Sequence, residues 1–599
     1  MPSCKDKIIS DEYVDFVIDF PLEDILGGEN ERYDYCYQEV DSRVGILSIN
    51  RNQLPDTTLL SNDYLAFPDL LGLQQETDTQ GGDGATEPVG GEVFDASPLI
   101  QSGITRVQEE PLNLTGRGVI LALADTGINY RNRIFQREDG SSRILAIWDQ
   151  TIQDGEAPEG FLYGTEYTRE DIDRALQAER ADDELRALDI VPSVDENGHG
   201  TRLAALAAGS QLEGGSLYNS PAYQADILVV KLKPAKQYLR DYYRIPENAT
   251  AYASTDVMMA IKYMDSFARV FRRPIVYCLG MGTNFRDHEG GGIFSRYLAA
   301  VASQRSRVMV IAGGNEGNAS HHYGGTFRNG NRSREEYMEV FVSEGVNGFL
   351  MEIWTEAPVN LAVSIRTPGG EYIDPTSVLF QTNLRYRFVF EQTVITVYNA
   401  YITQGSGDAL VLMRFENPTP GVWTIGVSDE AGTPDARFDA WLPISDFLAQ
   451  PVYFLRPDPE TTLTTPSYVT DAVTTATYNS RDNSIYQNSE RGFSRDGREK
   501  PDLAAPGVNM TIVGNRLGTE PIISTYTGSS LAAAVMAGAA AQFCQWAIVD
   551  GNSPYIRSQE LKNYFIRGAA RDRNIEYPNP IWGYGRLDLY GTFTGMLNT

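Results

Sequence analysis

Histidine and cysteine are scarce in this chain, with four of each among 599 residues. The cysteines (Cys4, Cys36, Cys278, Cys544) are widely scattered and form no Cys-x-x-Cys pair, which argues against a zinc site. Their dispersion suits a reducing compartment. Cys278 and Cys544 lie in apolar runs and read as buried thiols. Positive charge is also short: 50 Lys plus Arg face 80 Asp plus Glu, a formal net charge of -30. Such a surface repels phosphate backbones, so no nucleic-acid partner is expected; its plain role is solubility, and the alternative is that it tunes substrate choice toward basic partners. No stretch reads as a membrane-spanning helix, so no membrane partner is expected either. Asp11, Glu12, Asp15 and Asp19 interrupt the residues after the N-terminus, which removes the pattern of a secretory signal peptide. No cofactor or metal site is read from the sequence. His321-His322 has no nearby carboxylate cluster and reads as a surface pair.

What is present is a set of three turns in chain order. Leu121-Ala122-Leu123-Ala124-Asp125-Thr126-Gly127 ends an apolar run on an aspartate. Asn197-Gly198-His199-Gly200-Thr201 precedes a helix-forming stretch. Thr527-Gly528-Ser529-Ser530-Leu531 precedes a long Ala-rich run with high helix propensity. A serine hydroxyl is inert without a base, and the base needs a buried carboxylate to hold its tautomer. Ser530, His199 and Asp125 supply that inventory. A serine before a helix is more often an N-cap, and the paired Asp and His turns decide against that reading here. Asn315, in Gly313-Gly314-Asn315-Glu316-Gly317, either shapes a turn or donates to an oxyanion.

The chain divides by pattern. Residues 1–95 carry 21 acidic and 5 basic side chains, and Val44 to Asn50 reads as a strand. Gln75 to Gly84 can bury almost nothing apolar and is expected to be an exposed linker. From about residue 115, apolar strands (118–124, 225–232, 274–280, 308–313) alternate with helical segments such as Ser254 to Phe271. That alternation predicts a parallel α/β sheet with its site at the strand carboxyl ends. From 325 to 485, short alternating runs separated by Pro-Gly turns predict an inserted antiparallel β-sandwich or jelly roll.

Together, Asp-Thr-Gly, His-Gly-Thr, Gly-Asn-Glu-Gly and Gly-Ser-Ser-Leu-Ala, in this order, resemble the subtilisin-like serine proteases. Lys500 to Gly507 resembles the segment that precedes their serine. The resemblance implies an α/β fold with a subtilisin-like parallel sheet flanked by helices; strand patterning adds the inserted jelly roll, and the acidic block ahead of the catalytic region reads as a small α+β propeptide, with an ordinary accessory domain as the alternative. The expected units are 1–95 (propeptide and acidic linker), 96–324 and 486–599 (catalytic domain) and 325–485 (insert). It implies a serine endopeptidase acting through an acyl-enzyme, with Asp125, His199 and Ser530 as the triad and Asn315 as oxyanion donor. Leu279, Gly280 and Gly313 would border the bound substrate. Ala534 replaces the usual proline near the helix start, so helix geometry there can differ. Calcium sites in this family use scattered oxygens, and none can be placed.

The insert, the lack of a signal peptide and the phrase Arg143 to Gln150 resemble more narrowly the clostridial Csp-type germination proteases. That likeness implies a protein or peptide substrate and an autocleaved propeptide that can stay bound non-covalently; an active enzyme is expected to cut its own linker between about Gly91 and Ser97. It also implies activation of a spore cortex hydrolase in a cytoplasmic or spore-associated setting. The alternatives are a pseudoprotease-like signalling or binding scaffold and a housekeeping bacterial protease.

Overall fold

The computed structural model describes residues 2–19, 33–54, 66–74, 76–78, 95–181, 184–210, 219–327, 335–377, 383–400, 403, 405–514, 518–519 and 523–597. Its centre is a nine-stranded sheet. Ile144–Asp149, Asp226–Lys231, Ile120–Asp125, Ile275–Leu279, Arg307–Ala312, Val473–Asn479 and Leu503–Pro506 run parallel in that spatial order. Five of these strands are buried at every position, as expected of a sheet covered on both faces. The sheet is not purely parallel, because Thr165–Thr168 and Ser484–Ile485 add antiparallel pairs. The insert expected to reach residue 485 also ends earlier. Val473–Asn479 hydrogen-bonds into the central sheet, and the last strand of the sandwich is Val452–Phe454. Its run is short and threonine-rich rather than apolar, so only the tertiary pairing separates it from a sandwich strand.

Two helices bring the sequence turns together. His199–Ala208 and Ser529–Cys544 pack against each other and against the sheet. Small side chains permit a close approach: a Cβ on Gly538 would lie 2.7 Å from Pro221 and 2.8 Å from the Ala207 carbonyl. All residues of Ser529–Cys544 are buried. Continued to Val549, this helix is long and apolar enough to cross a membrane, contrary to the reading of the sequence, but it is mostly enclosed by the protein's core. With Ala534 in place of proline it begins without interruption at Ser529.

Between residues 322 and 454 two antiparallel sheets of six and five strands enclose a separate apolar core that includes Trp423, Phe415 and Ile425. The N-terminal residues form a helix, Cys4–Ile9, and a three-stranded sheet in which Gly45–Asn50 lies between Tyr13–Ile18 and Tyr35–Glu39. Cys4 and Cys36 are joined by a disulfide, which their wide separation in sequence did not suggest. Cys278 and Cys544 are free and buried, as read from the sequence. His321 and His322 are buried rather than exposed, because Glu316 and Asp439 partner them.

Candidate active site

Asp125 closes the strand Ile120–Asp125 and is 1% exposed. One of its oxygens accepts from the Thr126 N–H at 2.7 Å and lies 2.8 Å from His199 Nδ1. That contact assigns the proton to Nδ1 and turns Nε2 into the acceptor. His199 opens its helix after Gly198, which holds the left-handed conformation at φ 86°. Asp195 fixes this start: its carboxylate accepts from the N–H of Gly198 and Thr201 and from the Thr201 hydroxyl. Burial alone would lower the pKa of His199, but the charge of Asp125 and its hydrogen bond, with a further contribution from Glu76, raise it above the ordinary value.

Ser530 lies in the first turn of its helix, and Gly528, not a serine, is the N-cap. The capping reading therefore fails. Ser530 Oγ and His199 Nε2 are both buried and have no hydrogen-bond partner among the described residues. They flank one point: a Cβ on Gly280 would lie 3.0 Å from His199 Cε1 and 3.2 Å from Ser530 Cβ. Asn315 follows the strand Arg307–Ala312, and its Oδ1 accepts from the Ser529 N–H at 3.0 Å. The carboxamide is thus fastened beside Ser530. Its neighbour Glu316 is anchored by His321 at 2.6 Å and by Ser445 of the sandwich region.

A segment from the N-terminal part of the chain runs through this site. Leu70–Leu73 inserts between Ala251–Ala253 and Met281–Gly282, antiparallel to both. The Gln74 N–H donates to the Gly280 carbonyl at 2.8 Å. The Gln74 side chain is enclosed: its Oε1 accepts from the Asn315 N–H at 3.1 Å, and its Nε2 donates to Thr464 Oγ1 at 3.2 Å. Thr464 Oγ1 in turn donates to the Gly313 carbonyl at 2.8 Å. Beyond, Thr77–Asp78 pairs with Tyr526 and Thr527. Residues 76–78, expected to begin a free linker, are therefore seated in the cleft, because backbone pairing needs no apolar side chain. The rest of that linker, and residues 91–94 of the expected cut region, lie outside the described residues; Ser97 opens the helix Ser97–Gln101.

Of the three residues read as substrate-binding, Gly280 touches Gln74 directly. Gly313 forms the wall behind Thr464, where a Cβ would strike the Glu490 carboxylate. Leu279 turns its side chain into the core below the strand. Gln74, Thr464, Asp195, Arg202 and Glu490 were not singled out from the sequence. Glu490 is fully buried, and burial pushes its carboxyl well above the usual range.

The subtilase family model matches residues 116–340 and 455–585. The chain belongs to the subtilase family and is a serine endopeptidase. Its structure is similar to that of the Clostridium perfringens CspB protease, with a TM-score of 0.72 and 28% identity over 84% of this chain and 98% of that one. The epidermin leader peptide processing serine protease of Staphylococcus aureus aligns at 11% identity over 97% of this chain and 99% of that one, with a TM-score of 0.44. Comparison with curated proteins gives no match.

Proposed function

We propose that the chain cuts its own Gln74–Gln75 bond through Asp125, His199 and Ser530. The carrying observation is the seat of Gln74, with its N–H on Gly280 and its side chain between Asn315 and Thr464. Gly280, whose carbonyl accepts from Gln74, lies beside Ser530, and Thr77 pairs with Thr527 just ahead of it, which supports seating the bond after Gln74 at the hydroxyl. His199 Nε2 takes the Ser530 proton as Oγ adds to the Gln74 carbonyl carbon. The Ser530 N–H and the Asn315 amide hold the resulting oxyanion, a contribution of about 10²–10³ in rate for one such donor. His199 then passes the proton to the departing amine of Gln75, and water releases the acyl group from Ser530.

Residues up to Gln74 act here as a propeptide. Leu70, Leu71 and Leu73 are buried, each contributing roughly 1.5–3 kcal/mol, so the cut end remains held in the cleft. The inserted sandwich helps to hold it: a Cβ on Gly72 would meet Ile444 and Phe447. Activation of a spore cortex hydrolase follows from the Csp likeness, by the same chemistry acting on a second chain. The test of self-cleavage is the intact mass of purified wild type beside Ser530→Ala. Two fragments from the first and one full-length chain from the second are expected. Both chains intact, or both cut, would refute it.

A further inference from the structure

Past the bond assigned to cleavage, the segment is held differently. Glu76 lies two residues beyond Gln74, and its side chain has no exposed surface. It forms an ion pair with Arg202, whose guanidinium stacks 4.7 Å from the ring centroid of Tyr526. Arg202 projects from the same helix as His199, about one turn further along. Its other hydrogen bond is a long one, 3.5 Å, to the Asn197 carbonyl. Asp195 adds negative potential nearby but is occupied with Gly198 and Thr201. The second Glu76 oxygen is buried with no partner among the described residues. A carboxylate is costly to bury, and only a dedicated cation makes this position tolerable. On a chain of net charge -30, such a cation beside the catalytic histidine is a selective feature.

We propose that Arg202 and Tyr526 form a specificity site for an acidic side chain two residues past the cut bond, in the propeptide and in protein substrates alike. This rests on the assignment of Gln74–Gln75 as the cut bond. The planar guanidinium can meet a carboxylate with two N–H groups while its face rests on the ring. A lysine in the substrate would place two cations together in a buried corner, and a neutral residue would leave Arg202 unpaired. The site therefore selects Glu or Asp and rejects Lys or Arg.

The test uses the full chain carrying Glu76→Lys, Arg202→Glu, or both, with Glu76→Gln as the variant that keeps size and fold. The half-time of cutting is followed by intact mass. Each single change should slow cutting by at least about tenfold, and the double swap should return to within about threefold of wild type. In a Ser530→Ala background, amide hydrogen exchange of residues 76–78 should quicken in the single variants and slow again in the swap. Singles that cut and exchange like wild type would overturn the site, as would a swap that restores neither readout. If wild type does not cut at all, the assignment of the cut bond falls, and the exchange pattern alone decides whether Arg202 seats the acid.

Discussion

The two ends of the segment in the cleft are gripped by different physics. Upstream, Leu70 to Gln74 is held by backbone ladders to Ala251–Ala253 and Met281–Gly282, with leucines packed beneath. Downstream, Glu76 is held by one charge, and Thr77–Asp78 by a short pairing with Tyr526 and Thr527. Backbone pairing reads chain direction and extension but little sequence. A buried ion pair reads one side chain and penalises its replacement. If the chain cuts after Gln74 as proposed, the upstream grip supplies affinity, and the Gln74 and Glu76 pockets supply choice. On that reading the upstream half should remain bound after cutting, while the downstream half is tied only by the Glu76 ion pair and a short strand pairing.

The largest perturbation removes the chemistry that divides the two halves. Ser530→Ala should lower the rate of cutting on the order of 10⁶-fold while leaving the segment seated, as judged by unchanged exchange of the Leu71 to Gln74 amides. Asp125→Asn should cost about 10⁴-fold, because the histidine loses its correct tautomer, with little change in the melting temperature. Gly280→Val attacks the upstream grip. Its side chain would press on Leu203, His199 and Ser530 and cost about 1–3 kcal/mol, which is roughly 5- to 150-fold if it falls on the rate.

The smallest effect concerns pH. In the proposed reaction His199 must be neutral to accept the serine proton, and, against the effect of burial, Asp125 raises its pKa above the ordinary 6.5. Cutting should rise with pH through a midpoint above that value. Stability behaves oppositely: the Asp125–His199 pair stabilises fully below the unfolded histidine pKa, and this contribution is lost as pH rises through the folded one. Glu76 contributes to the upward shift, so Glu76→Gln should move the midpoint of the pH–rate profile downward. An unmoved midpoint would separate the downstream grip from the catalytic histidine.

The sequence revealed the parts of the site that depend on short motifs. Asp125, His199 and Ser530 stand at element ends with glycines beside them, and strand and helix periods placed those ends correctly. The buried strands near 120, 227, 276 and 309 were legible because parallel strands covered on both faces read as unbroken apolar runs. Val473–Asn479 was placed in the insert because its threonine-rich run lacks the unbroken apolar character of the other central strands, although it pairs with Arg307–Ala312 and is buried. Gln74 and Arg202 carried no local signal at all. Gln74 is one of two adjacent glutamines at the edge of a polar stretch, and Arg202 is one charge on a helix. Each gains meaning only from a partner distant in sequence: Thr464, 390 residues from Gln74, and Glu76, 126 residues from Arg202. The Cys4–Cys36 bond was hidden for the same reason.

The position of the cut is the most direct measurement. Mass spectrometry of the larger fragment from wild-type protein should give a chain that begins at Gln75. A new N-terminus between residues 91 and 97, or anywhere other than Gln75, would contradict the seating of Gln74 at Ser530, even if Ser530→Ala stayed whole.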